Sequence, residues 1–270
     1  MCLIVFAWQV IPGLSLLAAA NRDEFYERPA LPAHWWPDQP DVYAGRDLRG
    51  NGTWLGITRG GRFAALTNVR DPQRQRSDAP SRGALVSDFL TGSDTASDYI
   101  EAISADASRF NGFNLLVCDG AEMIWYTNAE TEDPRNGLPL PHGIYGVSNA
   151  FLDTPWPKVV RSKAEFASMM CTGASADAYF DMLSDNTRAN DCRLPQTGIP
   201  IEWERTLSPV FIESPGYGTR CSTVVQLLQD GSAQLTERQA ERLTDPAAGE
   251  APVNQEKMPG ALRCVRSRRP

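Results

Sequence analysis

The stretch CLIVFAWQVIPGLSLLAAANRDE, residues 2 to 24, decides how this chain is read. From Cys2 to Ala20 it carries no charge, and its apolar run ends in Ala18-Ala19-Ala20. That profile imitates a secretory signal with a small-residue cleavage site, which makes an exported protein the competing reading. Two features oppose it. No Lys or Arg precedes the run, and Pro12-Gly13 breaks it near the middle, where a signal or membrane-crossing helix runs unbroken. The break leaves Cys2–Trp8 and Leu14–Asn21, each of strand length, on either side of turn residues. The expectation is a β-hairpin whose second strand delivers Asn21-Arg22-Asp23-Glu24 beside the start of the first.

Downstream, strand and helix signals come in blocks. Arg28 to Pro40 is proline-rich and holds Trp35-Trp36, and that proline density excludes a long helix or a central strand. Val42–Arg46 reads as a short strand and Arg49-Gly50-Asn51-Gly52 as a turn. Thr53–Thr58 and Phe63–Asn68 read as a hairpin about Arg59-Gly60-Gly61-Arg62. Asp71 to Arg82 reads as a polar, mobile loop. Leu85–Leu90 and Thr95–Ala107 have helical spacing, the latter with an apolar stripe of Tyr99, Ile100 and Ile103. Asn114–Cys118 and Glu122–Thr127 form a hairpin about Asp119-Gly120, and Ile144–Ser148 adds a strand. Residues 158–170 and 174–184 read as helices that bury Val159, Val160, Phe166, Tyr179, Phe180 and Leu183. Asp185–Glu204 reads as irregular, and Thr219–Leu228 with Ala233–Arg238 as a last hairpin about Asp230-Gly231. Two antiparallel sheets covered by helices satisfy this order. Residues 244–270, rich in Pro, Ala and charge, read as a disordered tail with a solvated basic end at Arg263, Arg266, Arg268 and Arg269. That leaves 1–243 as one domain.

Bulk properties narrow the function classes. The chain has 270 residues, 42% of them hydrophobic, enough for one large domain with a substantial core. Its net charge of −7 argues against a general nucleic-acid binder and suits a cytoplasmic protein without stable membrane insertion. The six cysteines are scattered, with no zinc-like spacing and no Cys-x-x-Cys-His haem attachment, and read as reduced thiols.

Cys2 follows Met1, and a small side chain there permits removal of the methionine. The freed α-amine, with a pKa of about 7.7–8.0, then serves as base for its own thiol at neutral pH. A buried cysteine heading an apolar strand is the competing reading, and position alone favours it. The hairpin brings Arg22 and Asp23 beside Cys2: a guanidinium there favours thiolate, and a carboxylate holds the α-ammonium. The alternative is an exposed ion-pair knot at a strand end. His34 and His142, the only histidines, each stand near Pro and read as solvated loop residues, and no metal site is expected.

Taken together, Met1-Cys2-Leu3-Ile4, Ala20-Asn21-Arg22-Asp23-Glu24-Phe25, Gly52-Thr53-Trp54-Leu55-Gly56 and Ala65-Leu66-Thr67-Asn68-Val69-Arg70 resemble the NRDE family, also called the transport and Golgi organisation family. The resemblance continues through Gly146-Val147-Ser148-Asn149 and Gly218-Thr219-Arg220-Cys221-Ser222-Thr223-Val224, to about residue 238. That family is in turn similar to the N-terminal-nucleophile hydrolases of the penicillin and bile-salt amidase type. The resemblance implies an α+β fold, a four-layer αββα sandwich of two antiparallel sheets. It implies Cys2 as nucleophile, Arg22 and Asp23 as its supports, Asn68 and Asn149 at the oxyanion and substrate positions, and Arg220 as the late arginine. An amide donor at an oxyanion is worth about 2.7–4 kcal/mol. Asn ending a strand and Arg opening one are also ordinary turn and surface residues. The amidases place their Asp three residues beyond the Arg. Here Asp23 is adjacent, and adjacent strand residues face opposite sides, so Glu24 is expected to share or replace its role. Trp35, Trp36 and Trp54 are candidates for a substrate-binding aromatic wall, with core packing as the alternative.

Three functions follow. One is a cysteine amidohydrolase acting on a non-peptide C–N bond of a small acylated molecule. The second, from the family's link to haem trafficking and lipid metabolism, is a non-catalytic carrier of haem or an acyl-CoA-like ligand in the same pocket. The third is a scaffold. None requires a cofactor, and haem is a candidate ligand.

Overall fold

The computed structural model describes residues 2–240 and the backbone of Leu262–Arg266. The opening hairpin forms as expected, from β1 (Cys2–Ile11) and β2 (Leu14–Phe25), paired in the register Cys2↔Arg22, Ile4↔Ala20, Phe6↔Ala18 and Trp8↔Leu16. The ladder slips between Trp8 and Ile11, and the chain reverses through Gly13 at φ 81°, a conformation glycine adopts without steric cost.

The hairpin is the centre of the larger sheet. On one side β1 pairs with β9 (Gly143–Val147). On the other, β2 pairs with β11 (Tyr217–Leu228), then β12 (Ala233–Gln239), with the short β10 (Glu213–Ser214) also on β11. The second sheet runs in chain order: β3 (Ala30–Trp36), β4 (Gln39–Asp47), β5 (Leu55–Thr58), β6 (Phe63–Asn68), β7 (Phe113–Cys118) and β8 (Met123–Thr127). Every one of its pairings is antiparallel.

Alternation sorts these strands into layers. Ile4, Phe6, Trp8, Leu16, Ala18 and Ala20 of the hairpin meet Tyr43, Leu55, Ile57, Phe63, Ala65, Leu116 and Trp125 of the second sheet in one core between the sheets. The intervening residues Leu3, Val5, Ala7, Leu17 and Ala19 face outward, onto α3 (Pro157–Thr172) and α4 (Ala176–Leu183). On the far side, Ala64, Leu66, Leu115 and Val117 pack under α1 (Gly83–Thr91) and α2 (Ala96–Ser104). The result is the four-layer αββα sandwich.

Two close contacts account for glycines in the motifs. A Cβ on Gly52 would come within 2.4 Å of the Gly83 main chain, so the turn before β5 touches the start of α1 backbone to backbone. A Cβ on Gly146 would stand 2.8 Å from Val159 Cγ1, which lets α3 lie directly on β9.

Several expectations need correction. The proline-rich segment, assigned no strand above, forms β3, whose edge position, where an absent N–H costs no ladder bond, agrees with the exclusion of a central strand. His34 is therefore a strand residue, its Nδ1 2.8 Å from the Pro32 carbonyl. β4 is longer than Val42–Arg46, and β5 begins at Leu55. Asp185–Glu204 is not wholly irregular, since α5 (Ile201–Thr206) starts inside it. Val160 is 52% exposed, because the stripe α3 buries runs through Lys158, Val159, Ser162 and Phe166. The loop Asp71–Arg82 is pinned rather than mobile. The Arg76 N–H donates to Asn111 Oδ1 at 2.8 Å, Asn111 Nδ2 returns a bond to the Arg76 carbonyl at 2.8 Å, and Arg82 Nη1 donates to the Gly112 carbonyl at 2.9 Å. The tail lies outside the described residues except for β13 (Leu262–Arg266), whose backbone runs parallel to β12.

Phe6 has no exposed surface and stacks on Tyr145 at 5.3 Å between ring centres. Phe6→Ala is expected to cost about 3–5 kcal/mol, read as a lower urea midpoint at an unchanged denaturant slope.

Candidate active site

The hairpin register sets Cys2, Arg22 and Cys221 side by side on three neighbouring strands. All three line a cavity of about 520 Å³ at one end of the space between the sheets. The second sheet supplies the facing wall with Asp47, Trp54 and Asn68, and the pinned loop closes a third side with Gln75, Arg76 and Ser81.

A chain of buried hydrogen bonds fixes this end of the sandwich. Trp125 Nε1 donates to Asn114 Oδ1 at 3.0 Å, and Asn114 Nδ2 donates to Thr67 Oγ1 at 3.0 Å. Thr67 Oγ1 donates to the Ser148 carbonyl, and Ser148 Oγ donates to the Cys2 carbonyl at 2.9 Å. Three strands of the second sheet, β6, β7 and β8, are thus linked through Ser148, just beyond β9, to the main chain of residue 2. Buried networks of this kind hold position well because leaving any member unpaired is costly.

Burial pushes the Cys2 thiol up. The positive N-terminus, a hydrogen bond from the Asp23 main chain and the Arg22 charge pull the other way, while the Asp23 carboxylate adds to the rise. Cys2 is 9% exposed and Arg22 equally so. Arg22 Nη2 donates to Asp47 Oδ2 at 3.3 Å. Asp47 also receives Arg28 Nε at 2.6 Å and the N–H groups of Arg49 and Gly50. Burial acts to raise the Asp47 carboxyl, but the bonds from Arg28 and Gly50 and the charges of Arg28 and Arg22 outweigh it and hold it below the usual carboxylate range.

Asp23 faces the other way, as alternation requires. Its Oδ1 accepts from Thr219 Oγ1 at 2.7 Å on the helix side of the sheet. Burial raises its pKa, opposed by Lys158, the N-terminal charge, the Thr219 bond and Arg22. Glu24 lines the cavity, with Oε1 taken by the Phe25 N–H at 2.8 Å. Arg220 reaches the cavity through a bulge. Thr219 pairs with Asp23 and Cys221 with Arg22, so Arg220 is the extra residue, and its Nη1 donates to the carbonyls of Phe25 and Arg28.

Three expected site residues fall elsewhere. Trp36 is 2% exposed in the core under α1, with Nε1 on the Ala44 carbonyl at 3.2 Å. Trp35 packs edge-on to Tyr43 beneath Arg59. Of the three tryptophans only Trp54 lines the cavity. Asn149 stands behind Asn68, donating Nδ2 to the Asn68 carbonyl at 2.8 Å, and lines an adjoining hollow of about 340 Å³. Neither His34 nor His142 lines the cavity. Among the described residues no group of three or more His, Cys, Asp or Glu is placed to hold a metal ion.

Sequence reading missed the cavity's charge. Seven arginines line it (22, 28, 46, 49, 76, 82 and 220) against the carboxylates of Glu24, Asp47 and Glu237. A chain of net charge −7 thus concentrates positive charge at one place. Arg22 and Arg220 fall in the motifs quoted above, while the other five lie outside them, so no single motif signals the cluster. Lys158 was also missed, and here a signal existed: it shares the buried stripe of Ser162 and Phe166 on an amphipathic helix.

The family model described as Transport and Golgi organisation 2 matches residues 1–242. The chain is 36% identical over 259 residues to the Transport and Golgi organization protein 2 homolog of Bos taurus, covering 88% of this chain and 92% of that protein. It is 34% identical to the Homo sapiens homolog at the same coverage. The Drosophila melanogaster Transport and Golgi organization protein 2 is 30% identical over 252 residues, 83% of this chain and 87% of the relative. Among solved structures, the Caenorhabditis elegans N-acylethanolamine-hydrolyzing acid amidase ortholog superposes with a TM-score of 0.47 at 12% identity, over 83% of this chain and 92% of that one. Penicillin V acylase from Agrobacterium tumefaciens gives a TM-score of 0.37 at 12% identity, over 88% and 86%.

Because Asp47 is held low in the folded state, the stability it contributes is complete above about pH 4 and is lost as pH falls further. Asp47→Asn is expected to lower the urea midpoint at pH 7, with the gap to the parent protein narrowing at pH 3.

Proposed function

This chain belongs to the Transport and Golgi organisation 2 family, and from that premise and the geometry around residue 2 we propose that it is a cysteine amidohydrolase acting on a small acylated molecule that carries negative charge. The observation that carries the reading is the joint placement of residue 2: thiol toward an arginine-lined cavity, main-chain carbonyl fixed by Ser148, and Arg22 paired with it across the hairpin.

The chemistry follows from these positions. Removal of Met1 exposes the α-amine of Cys2, which takes the thiol proton. The thiolate attacks the amide carbonyl, forming the C–S bond. Arg22 stabilises the thiolate, and the Asn68 side chain on the cavity wall is the donor available to the developing oxyanion. As the C–N bond breaks, the proton held by the α-ammonium passes to the leaving nitrogen. Water then attacks the thioester with the amine again as base, releasing the acid and restoring the thiol. Asn149 acts through Asn68, whose carbonyl it holds. The lining arginines select an acidic group on the substrate, by bidentate contacts suited to carboxylate or phosphate.

A second reading has its own observation. Burial raises the Cys2 thiol, which disfavours the thiolate, and the same arginines suit an anionic ligand held without turnover, such as an acyl-CoA-like molecule or the propionates of haem.

The two readings separate experimentally. For the hydrolase, intact mass shows loss of Met1, and the purified protein cleaves N-acyl amides of acidic amines, with turnover falling at least 10³-fold in Cys2→Ala. A retained Met1, or cleavage that survives Cys2→Ala, overturns it. Binding of haem or acyl-CoA that persists in Cys2→Ala without any cleavage favours the carrier.

A further inference from the structure

The seven arginines of the cavity are not equivalent. Arg22 and Arg28 share Asp47 at 3.3 and 2.6 Å, and Arg28 also faces Glu24 at 3.9 Å. Arg46 is held by both carboxylate oxygens of Asp38 and lies over the Trp36 ring. Arg220 donates to the carbonyls of Phe25 and Arg28, and Arg76 to those of Ser108 and Arg109. Arg49 is exposed to solvent. Arg82 is half-buried, and its side chain makes one hydrogen bond among the described residues, from Nη1 to the Gly112 carbonyl at 2.9 Å. It has no ion-pair partner among those residues. Burial pulls its guanidinium below the ordinary arginine range; Glu24 opposes the fall from beyond ion-pair distance, and Arg28 adds to it. Arg28 and Arg46, by contrast, are held above that range by their bonds to Asp47 and Asp38. Arginine stays charged in proteins even so, which makes Arg82 a partly buried cation short of an anion.

Its mounting is rigid. Arg82 immediately precedes α1, whose first residue, Gly83, meets Gly52 main chain to main chain and accepts the Thr53 N–H at 3.3 Å. The Gly112 bond takes Nη1 alone. Nε and Nη2, which form one edge of the guanidinium, have no acceptor among the described residues. That edge presents two parallel N–H groups, the geometry that takes both oxygens of a carboxylate. A single uncompensated cation also matches the single charge of a carboxylate, whereas a phosphate carries about two at neutral pH. Arg82 and Cys2 line the same cavity, so a group held at the first lies within the space open to the second. We infer that Arg82 is the specificity-determining residue of the site, its Nε and Nη2 holding a carboxylate of the acylated substrate while Cys2 meets the amide. The ion-paired arginines then serve the thiol and the walls. The inference rests on the hydrolase reading, which gives the held molecule an amide to present.

The test uses iodoacetamides that carry a carboxylate on linkers of increasing length, each compared with its neutral carboxamide. Alkylation of Cys2 is followed by peptide mass in the full chain, with the exposed Cys171 as reference. Both members of a pair attack the same thiolate, so their rate ratio cancels any change in thiolate fraction. In the parent protein the acid-to-amide ratio at Cys2 is expected to peak at one linker length, above the ratio at Cys171. Arg82→Gln is expected to lower that peak about fivefold, the size of effect one charge has in a partly solvated site, with Cys171 unmoved. Arg49→Gln removes an equal charge from a solvent-exposed side chain, and screening leaves it little effect. No peak in the parent protein, a peak unchanged in Arg82→Gln, or one lowered as far by Arg49→Gln overturns the inference. With Met1 removed from the parent protein, each of these results leaves Cys2 as nucleophile. Retained Met1, or a Cys2 inert to every reagent, overturns the hydrolase reading and this inference with it. Should Arg82→Gln fail to fold, Arg82→Lys keeps the charge and a donor for the Gly112 carbonyl but loses the two-pronged edge. The peak must still fall in that variant, and an unchanged peak overturns the inference.

Discussion

The structure depends on one register. Pairing Cys2 with Arg22 across the first hairpin fixes which residues look into the sandwich and which look out toward α3. A slip of one residue would exchange Arg22 for Asp23 on the inner face and place the carboxylate against the arginine-lined wall. Polarity alone does not guard the register, since Ile4, Phe6 and Trp8 belong to the inter-sheet core and Leu3, Val5 and Ala7 to the outer one. The large Phe6 and Trp8 against the small Ala7, and the Ser148 hydroxyl on the Cys2 carbonyl, distinguish the faces.

Around that hairpin, polar contacts are arranged so that buried charge is always shared. Asp47 stands between Arg22 and Arg28 and also receives two backbone N–H groups. Glu237 of β12 accepts from the Ala33 N–H of β3 at 2.7 Å, which ties the two sheets along the cavity's other flank. The hydroxyl and amide chain from Trp125 to the Cys2 carbonyl does the same at the head of β1. Hydrophobic packing brings the sheets together without direction, and these directional contacts set their relative position where the cavity opens.

Much of this was legible in the sequence, for a physical reason. The hairpins declare themselves through alternation and glycine turns, and the helices through their stripes, because both patterns are local. The placement of Arg22 beside Cys2 follows from hairpin pairing alone, as does the outward turn of Asp23. What escaped is non-local. Edge position decides whether prolines tolerate a strand, and β3 is an edge only because of how the sheet assembles. Arg220 reaches the cavity by a bulge that nothing in its own sequence announces. Trp35 and Trp36 look like a binding wall in the sequence, but their partners Tyr43, Ala44, Arg46 and Arg59 hold them elsewhere. Lys158 was readable as a cation on a buried stripe.

The segment from Asp71 to Arg82 has a consequence for how such proteins diversify. It is anchored through Arg76 to Asn111 and through Arg82 to the Gly112 carbonyl, while Ser77, Ala79, Pro80 and Ser81 between those anchors border the cavity. The neighbouring wall is set by main chain meeting main chain, at Gly52 and Gly83, and has no slack. Insertions or replacements between the two anchors therefore reshape the cavity while leaving the sheets and the frame around residue 2 untouched. The shape of the cavity and the capacity to fold are carried by different stretches of chain, and the first is free to drift at little cost to the second.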